Sequence, residues 1–152
     1  MSIESVKEFI ACHAPDIEVI ETEGITATVE QAAIVHNVEP NQIAKTLSLK
    51  VKNTVVLVVC AGEARLDNLK VKQALGGKAR MLRADEVVEL TGHPIGGVCP
   101  FGLPTDLPVY CDISLKLYQE VVPAAGSVNS ALRISPQRMV ELTQATWIDV
   151  CQ

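Results

Sequence analysis

Ile43-Ala-Lys-Thr-Leu-Ser-Leu-Lys-Val-Lys-Asn-Thr-Val-Val-Leu-Val-Val-Cys-Ala61 reads as two apolar-rich strands, Ile43 to Val51 and Thr54 to Ala61, joined across Lys52-Asn53 as a hairpin. Alternation puts Ile43, Lys45, Leu47 and Leu49 on one face of the first strand, so a cation stands in an apolar row. Lysine is seldom fully buried unless paired. Lys45 therefore either snorkels to solvent or occupies a cleft as a catalytic or anion-binding cation. Thr46, on the opposite face, reads as structural, with a hydroxyl able to support a neighbouring loop.

Short elements alternate on both sides of this hairpin. Upstream, Ser2 is a candidate N-cap for a helix through about His13, with Ile3, Val6, Phe9 and Ile10 at helical spacing. Ile17 to Glu21 alternates like a short strand, and Thr28-Val-Glu-Gln31 reads as a capping box opening a helix that ends near Asn37. Downstream, Asp67 can cap a helix ending at Gly76-Gly77, followed by a short strand at Ala79 to Leu82 and a helix at Ala84 to Leu90. Further strands are expected at Pro108 to Asp112, Glu120 to Ala124, Ser130 to Ile134 and Trp147 to Val150. Ser135-Pro136 opens a helix to about Leu142. This order predicts a mixed, mainly antiparallel α/β (α+β) domain. At 152 residues and 48% hydrophobic, the chain has enough apolar material for one core, so a single domain over 1–152 is expected.

Thr91-Gly-His-Pro-Ile-Gly-Gly-Val-Cys-Pro-Phe-Gly-Leu-Pro104 packs four glycines and three prolines into fourteen residues, which makes it a shaped loop. Gly96, Gly97 and Gly102 permit positive φ or close backbone approach, while Pro94, Pro100 and Pro104 fix φ. Such a loop either connects two elements rigidly or aims its N–H groups at an anion or an ester carbonyl.

Ile43-Ala-Lys-Thr-Leu47, Gly92, Gly96-Gly-Val-Cys-Pro-Phe-Gly102 and Ala125-Gly-Ser127 together resemble the YbaK/prolyl-tRNA-synthetase-associated domain family over nearly the whole chain. The resemblance implies a curved, barrel-like sheet flanked by short helices and the hydrolysis of mischarged aminoacyl-tRNA. It implies that Lys45 is the catalytic residue, facing the Gly96 to Pro100 loop. Thr46, Gly96, Gly97, Val98, Cys99, Pro100, Phe101, Gly102, Gly126, Ser127 and Asn129 become the expected substrate-binding residues. For Ser127 and Asn129, ordinary turn chemistry is the alternative. Members specific for cysteinyl esters resemble one another in a basic Gly-Lys-Arg-Gly run with a nearby Asp, whereas this chain has Gly126-Ser-Val-Asn129 and Ala131. The expected substrate is thus tRNA-Pro carrying a small wrong residue such as Ala, Cys or Ser, with proline shut out.

The overall charge of −5 conceals a strong asymmetry. Nine of the thirteen basic residues fall between Lys45 and Arg83 against only Glu63 and Asp67, giving that segment +7 and the remainder −12. Lys50, Lys52, Lys70, Lys72, Lys78, Arg80 and Arg83 are accordingly expected to meet tRNA phosphates near the acceptor end, the alternative being a solvated face. The expected partners are a mischarged tRNA and an aminoacyl-tRNA synthetase, with no DNA and no membrane. No apolar run approaches the roughly 20 residues of a membrane span and no signal-peptide pattern opens the chain, so a cytoplasmic location is expected. Five cysteines at 12, 60, 99, 111 and 151 contain no C-x-x-C pair, which argues against a disulfide framework and a structural zinc site. No cofactor and no metal are expected.

Two rival functions fit the same residues. A non-catalytic module could hold an RNA 3′ end or an aminoacyl-adenylate for a synthetase. Alternatively, Cys99 with His93 six residues away could form a cysteine-dependent hydrolase, if the thiol were activated. His13 and His36, near helix ends, read as surface or capping residues.

Overall fold

The computed structural model describes residues 2–152; the capping side chain expected of Ser2 lies outside the described part. Helix α1 spans Ser2–His13, β1 Ile20–Glu21 and α2 Val29–His36. The hairpin follows as β2 (Ile43–Val51) and β3 (Thr54–Ala61), then α3 (Asn68–Leu75), β4 (Ala79–Met81) and α4 (Ala84–Thr91). After the glycine-proline loop come β5 (Val109–Asp112), β6 (Val122–Pro123), β7 (Ser130–Ala131), α5 (Pro136–Thr143) and β8 (Thr146–Ile148).

Local chemistry sets these boundaries. At the start of α2, Thr28 Oγ1 accepts from the Gln31 N–H and Gln31 Oε1 accepts from the Thr28 N–H, both at 3.1 Å, which completes the capping box. Asp67 caps α3 by accepting from the Lys70 N–H at 3.0 Å, and Ser135 caps α5 from the Arg138 N–H at 3.1 Å with Pro136 in the first turn. Gly76 ends α3 and Gly92 ends α4 in the left-handed region that glycine adopts without strain.

The strands run β4-β2-β3-β5-β8, with β6 added beside β2, in a sheet that curves without closing. Its long pairing, β2 with β3, is antiparallel over eight rows from Ala44↔Ala61 to Val51↔Thr54, and β4 is antiparallel to β2. The shorter pairings of β6 with β2, β5 with β3 and β8 with β5 are parallel. β1 and β7 form a separate antiparallel pair.

The two faces of the sheet carry separate apolar clusters. On one, Ala44, Leu57, Val59 and Cys111 pack against Val6 and Ile10 of α1, Met139 of α5, and Cys99 and Phe101 of the loop. On the other, Leu49, Val51, Val56, Val58 and Cys60 pack against Val71 of α3 and the C-terminal Val150 and Cys151. Asp112 joins the C-terminal segment to the sheet, its buried carboxylate accepting from the Val150 N–H at 2.8 Å and the Ser114 N–H at 2.9 Å. His36 corrects the surface reading given to it, since it is buried at the end of α2; burial holds its imidazole below the usual value. Among the described residues no helix is long and apolar enough to cross a membrane.

Candidate functional site

The outer edge of β2 changes partner along its length. Ile43 and Ala44 pair with β6, and Leu49 to Val51 pair with β4. Between them Lys45 to Ser48 have a strand neighbour on the β3 side only, and a cavity of about 220 Å³ lies there. Its walls are mainly apolar, including Val29 and Ala32 of α2, Ala44, Val87 of α4, Val98, Val122 and Ala131. Thr46, Ser48, Ser130, Thr26 and Thr28 contribute hydroxyls; no carboxylate lines it among the described residues.

Lys45 and Gly96 border this same cavity, so the two expected landmarks converge. The register adds a detail that alternation alone did not settle. Lys45 lies opposite Cys60, on the face that packs against α3, and its ammonium donates to the Ala64 carbonyl at 2.6 Å. Thr46 lies opposite Val59, on the face that carries the loop. Its Oγ1 is buried without a hydrogen-bond partner, an uncompensated group in a mainly apolar wall.

The loop divides its labour. Gly96 has φ +89, and a Cβ there would come within 2.8 Å of the Ala27 Cβ, so both conformation and space require glycine. Gly97 is outside the cavity lining: its N–H donates to the Pro94 carbonyl at 2.9 Å and its carbonyl accepts from the Gly126 N–H at 3.0 Å. Gly102, φ +63, presses on the Ser5 backbone and borders a separate groove beside α1. Cys99 and Phe101 are fully buried in the core, and Pro100 is buried beside them. Val98 does reach the cavity.

Gly126, Ser127 and Asn129 form a turn against the loop and do not line the cavity. Ser127 Oγ donates to Asn129 Oδ1 at 3.0 Å and lies 2.6 Å from Ser130 Oγ, while the Asn129 amide donates to the Thr22 carbonyl at 2.9 Å. These bonds hold the turn's side chains to one another and, through Asn129, to the chain at Thr22.

Cys99 and His93 do meet, with Sγ 3.6 Å from Nε2, but both are completely buried. His93 Nε2 also lies 2.8 Å from the Phe101 carbonyl, which can only accept, so Nε2 carries the proton and is no base for the thiol. Burial pushes the Cys99 thiol up to about 12 and His93 down, so neither group is in its charged form near neutrality.

Within the basic segment, several cations are already matched. Lys70 pairs with Asp149 at 3.0 Å and donates to the Cys151 carbonyl at 2.8 Å. Arg80 makes two bonds to Glu86, at 3.2 and 3.3 Å, and holds that carboxyl down to about 2. Arg83 lies 3.5 Å from Asp85 and 3.6 Å from Glu86. Lys50, Lys52, Lys72 and Lys78 have no carboxylate partner among the described residues, and Lys50 sits opposite Arg80 in the β2–β4 register, one row beyond the cavity edge.

Ser48, Ser130, Met81 and Ile95 were not singled out from the sequence, although all four line the cavity. Ser48 carries a legible signal, since it follows Thr46 by two residues and shares its face. The other three come into place only through tertiary packing.

The fold and cavity define an α/β domain with a small, mainly apolar chamber at a strand edge, bordered by a lysine and a glycine loop. The sequence profile of the aminoacyl-tRNA editing domain matches residues 23–142, and the chain belongs to this family. It is 48% identical over its full length to YwhH, an uncharacterized protein of Bacillus subtilis (strain 168), and covers 98% of that protein. It is 33% identical over 78% of its length to the proline–tRNA ligase of Solidesulfovibrio magneticus (strain ATCC 700980 / DSM 13731 / RS-1), of which it spans 20%. A crystal structure of a candidate trans-editing enzyme for prolyl tRNA synthetase superimposes with a TM-score of 0.92 at 34% identity, covering 99% of this chain and 97% of that one.

Proposed function

We propose that this protein, as one editing domain over residues 1–152, hydrolyses in trans the ester of mischarged tRNA, most directly tRNA-Pro carrying alanine, cysteine or serine. The observation that carries the reading is the shared cavity of Lys45 and Gly96 at the unpaired edge of β2. Its volume of about 220 Å³ lies below the roughly 300–1,000 Å³ of pockets for drug-sized ligands, which suits a small aminoacyl group. An aminoacyl ester is already activated, so the site supplies position and charge stabilisation rather than a strong nucleophile.

In this reading Lys45 exchanges the Ala64 carbonyl for the terminal ribose or phosphate of the RNA and helps orient the attacking water. The Gly96 and Val98 side of the loop closes on the aminoacyl group. Selectivity comes from volume: a methylene is worth only about 1–3 kcal/mol by apolar contact, whereas a ring that does not fit is excluded more strongly. A cytoplasmic setting and contact with a synthetase complete the proposal. The test offers alanyl-, seryl-, cysteinyl- and prolyl-tRNA side by side to the wild type and to folded Lys45→Ala. Clearance of the small esters with prolyl-tRNA spared, and its loss in Lys45→Ala, is expected. Rapid clearance of prolyl-tRNA, activity confined to the cysteinyl ester, or undiminished turnover by Lys45→Ala would refute it.

A further inference from the structure

Among the described residues, Lys45 is the one ionisable group in the lining of the chamber, and the other polar side chains there are hydroxyls. Three of these hydroxyls are engaged by the fold. Thr26 Oγ1 donates to the Val128 carbonyl, Thr28 Oγ1 accepts in the capping box, and Ser130 Oγ accepts from the Ser127 N–H. The hydroxyls of Thr46 and Ser48 have no hydrogen-bond partner among the described residues, although Ser48 is only 4% exposed. They stand two residues apart on one face of β2. The backbone adds to them. The Ser48 carbonyl accepts from the Leu82 N–H on the outer edge of β2, so the N–H and C=O of Thr46 point to that edge as well, where no strand meets them.

These groups suit one kind of ligand atom. A hydroxyl or a neutral amine donates and accepts at once, which matches a backbone N–H beside its own C=O and a pair of hydroxyls; an ammonium has donors only. An ammonium taken into a mainly apolar chamber also needs an anion. The charge that borders this chamber is the cation of Lys45, and the next residues along the Thr46–Ser48 face, Lys50 and Arg80 opposite it, are cations too. The acids on the surrounding helices are turned elsewhere. Glu30 of α2 and Glu89 of α4 are exposed outside the lining, while Asp85 and Glu86 of α4 face Arg83 and Arg80. His36 of α2 and His93 of the loop are buried outside the lining.

We propose that the chamber receives the acyl group with its α-substituent uncharged, held at Thr46 and Ser48, so that it hydrolyses esters of small α-hydroxy acids as well as aminoacyl esters in their free-base form. This rests on the deacylase reading and narrows its substrate class. In either ester water adds to the carbonyl, the acyl–oxygen bond breaks, and the free acid and the ribose hydroxyl leave; the α-substituent is bound but not transformed.

Alanyl-, lactyl- and propionyl-tRNA differ at the α-carbon alone, carrying an amine, a hydroxyl or a hydrogen. The experiment measures kcat/KM for each at pH 6 and pH 8.5, divided by the spontaneous hydrolysis rate of the same ester. An α-amine titrating near pH 7.7–8.0 is about 1–2% free base at pH 6 and mostly free base at pH 8.5. The lactyl-to-alanyl ratio should therefore be roughly tenfold or more higher at pH 6, ionisation of the protein itself cancelling in the ratio. Lactyl should exceed propionyl by roughly fivefold, the worth of one hydrogen bond, and T46V/S48A should bring those two together. Refusal of the lactyl ester while the alanyl ester is cleaved, a lactyl-to-alanyl ratio independent of pH, or equal rates for lactyl and propionyl in the wild type would overturn the proposal and leave the deacylase reading standing. RNA ends joined to alanine or lactate through a 3′-amide read the same preference by binding alone. The lactyl amide should bind more tightly at pH 6, with the difference closing at pH 8.5; equal affinities at both would overturn the proposal even if no ester is cleaved. Failure to cleave any ester, with that binding difference intact, would instead refute the deacylase reading alone.

Discussion

Gly97→Ala should destabilise the protein through a contact between two loops. A Cβ at position 97 would stand 2.7 Å from the Ser127 nitrogen and 2.8 Å from its Cα and carbonyl carbon. These are backbone atoms, so no side chain can rotate away. Relief requires the glycine-proline loop to separate from the 126–127 turn, which also stretches the 3.0 Å bond from the Gly126 N–H to the Gly97 carbonyl. Overpacking costs about 1–3 kcal/mol and a weakened hydrogen bond about 1 kcal/mol, for a total of about 2–4 kcal/mol. At about 2–4 °C per kcal/mol for a chain of this size, the melting midpoint should fall by about 5–15 °C. Gly76→Ala is the internal comparison: φ there is +82 but nothing lies within 4 Å of the added methyl, so only left-handed strain of about 1 kcal/mol applies. Thermal unfolding followed by circular dichroism or calorimetry measures both. A midpoint for Gly97→Ala within 2 °C of wild type, or a smaller fall than that of Gly76→Ala, would refute this account of the loop.

Thr46→Val replaces an unpartnered buried hydroxyl by a methyl of nearly the same shape, so stability should be unchanged or higher by up to about 1 kcal/mol; a clear fall in the melting midpoint would show that the hydroxyl is bonded after all. Thiol alkylation near neutral pH should modify exposed Cys12 while sparing Cys99, whose thiol is fully buried and pushed up to about 12, and hydrolysis should survive; inactivation in step with labelling of Cys99 would restore the nucleophile reading. Asp112 is held below the usual carboxylate range: burial opposes its charge, but bonds from Ser114 and Val150 prevail. Its stabilisation is therefore complete above the unfolded value of about 3.9 and is lost as pH falls through the lower folded value, so Asp112→Asn should be less stable than wild type near pH 7 and less sensitive to pH below about 4; parallel pH–stability curves for the two proteins would contradict this.

The hairpin was legible because Ile43–Val51 carries apolar residues at alternate positions and Thr54–Ala61 is almost wholly apolar, and helix starts at Thr28, Asp67 and Ser135 were legible because capping acts within a few residues of chain. Alternation separated Lys45 from Thr46 but could not say which face meets the loop, since that depends on where β5 and β6 join the sheet. Composition identified Gly96, Gly97 and Gly102 as special positions. It could not tell that they approach Ala27, Ser127 and Ser5 respectively, because each contact closes a long stretch of chain. The strands expected at Glu120 to Ala124 and Ser130 to Ile134 were placed but overextended: of these residues only Val122–Pro123 and Ser130–Ala131 form ladders, with single bridges at Val121↔Ile134 and Ala124↔Ala131.

The position of the cavity follows from the same sheet geometry. A strand edge left open inside a fold has unpaired backbone groups that must be covered, hydrated or bonded to a ligand. In β2 that opening begins after Ala44, where its partner is Pro123, a residue without an N–H to carry the parallel ladder onward. It ends at Ser48, whose carbonyl accepts from the Leu82 N–H at 3.1 Å as β4 joins the edge. A proline in one partner and the arrival of another thus frame the Lys45 to Ser48 segment, while α2 and the Gly96 loop wall the space beside it. The backbone of that segment, the Thr46 hydroxyl and the Lys45 stem are consequently set by the longest strand pairing in the protein rather than by a free loop. Rigid placement of that kind is what a site relying on positioning in place of a strong nucleophile requires.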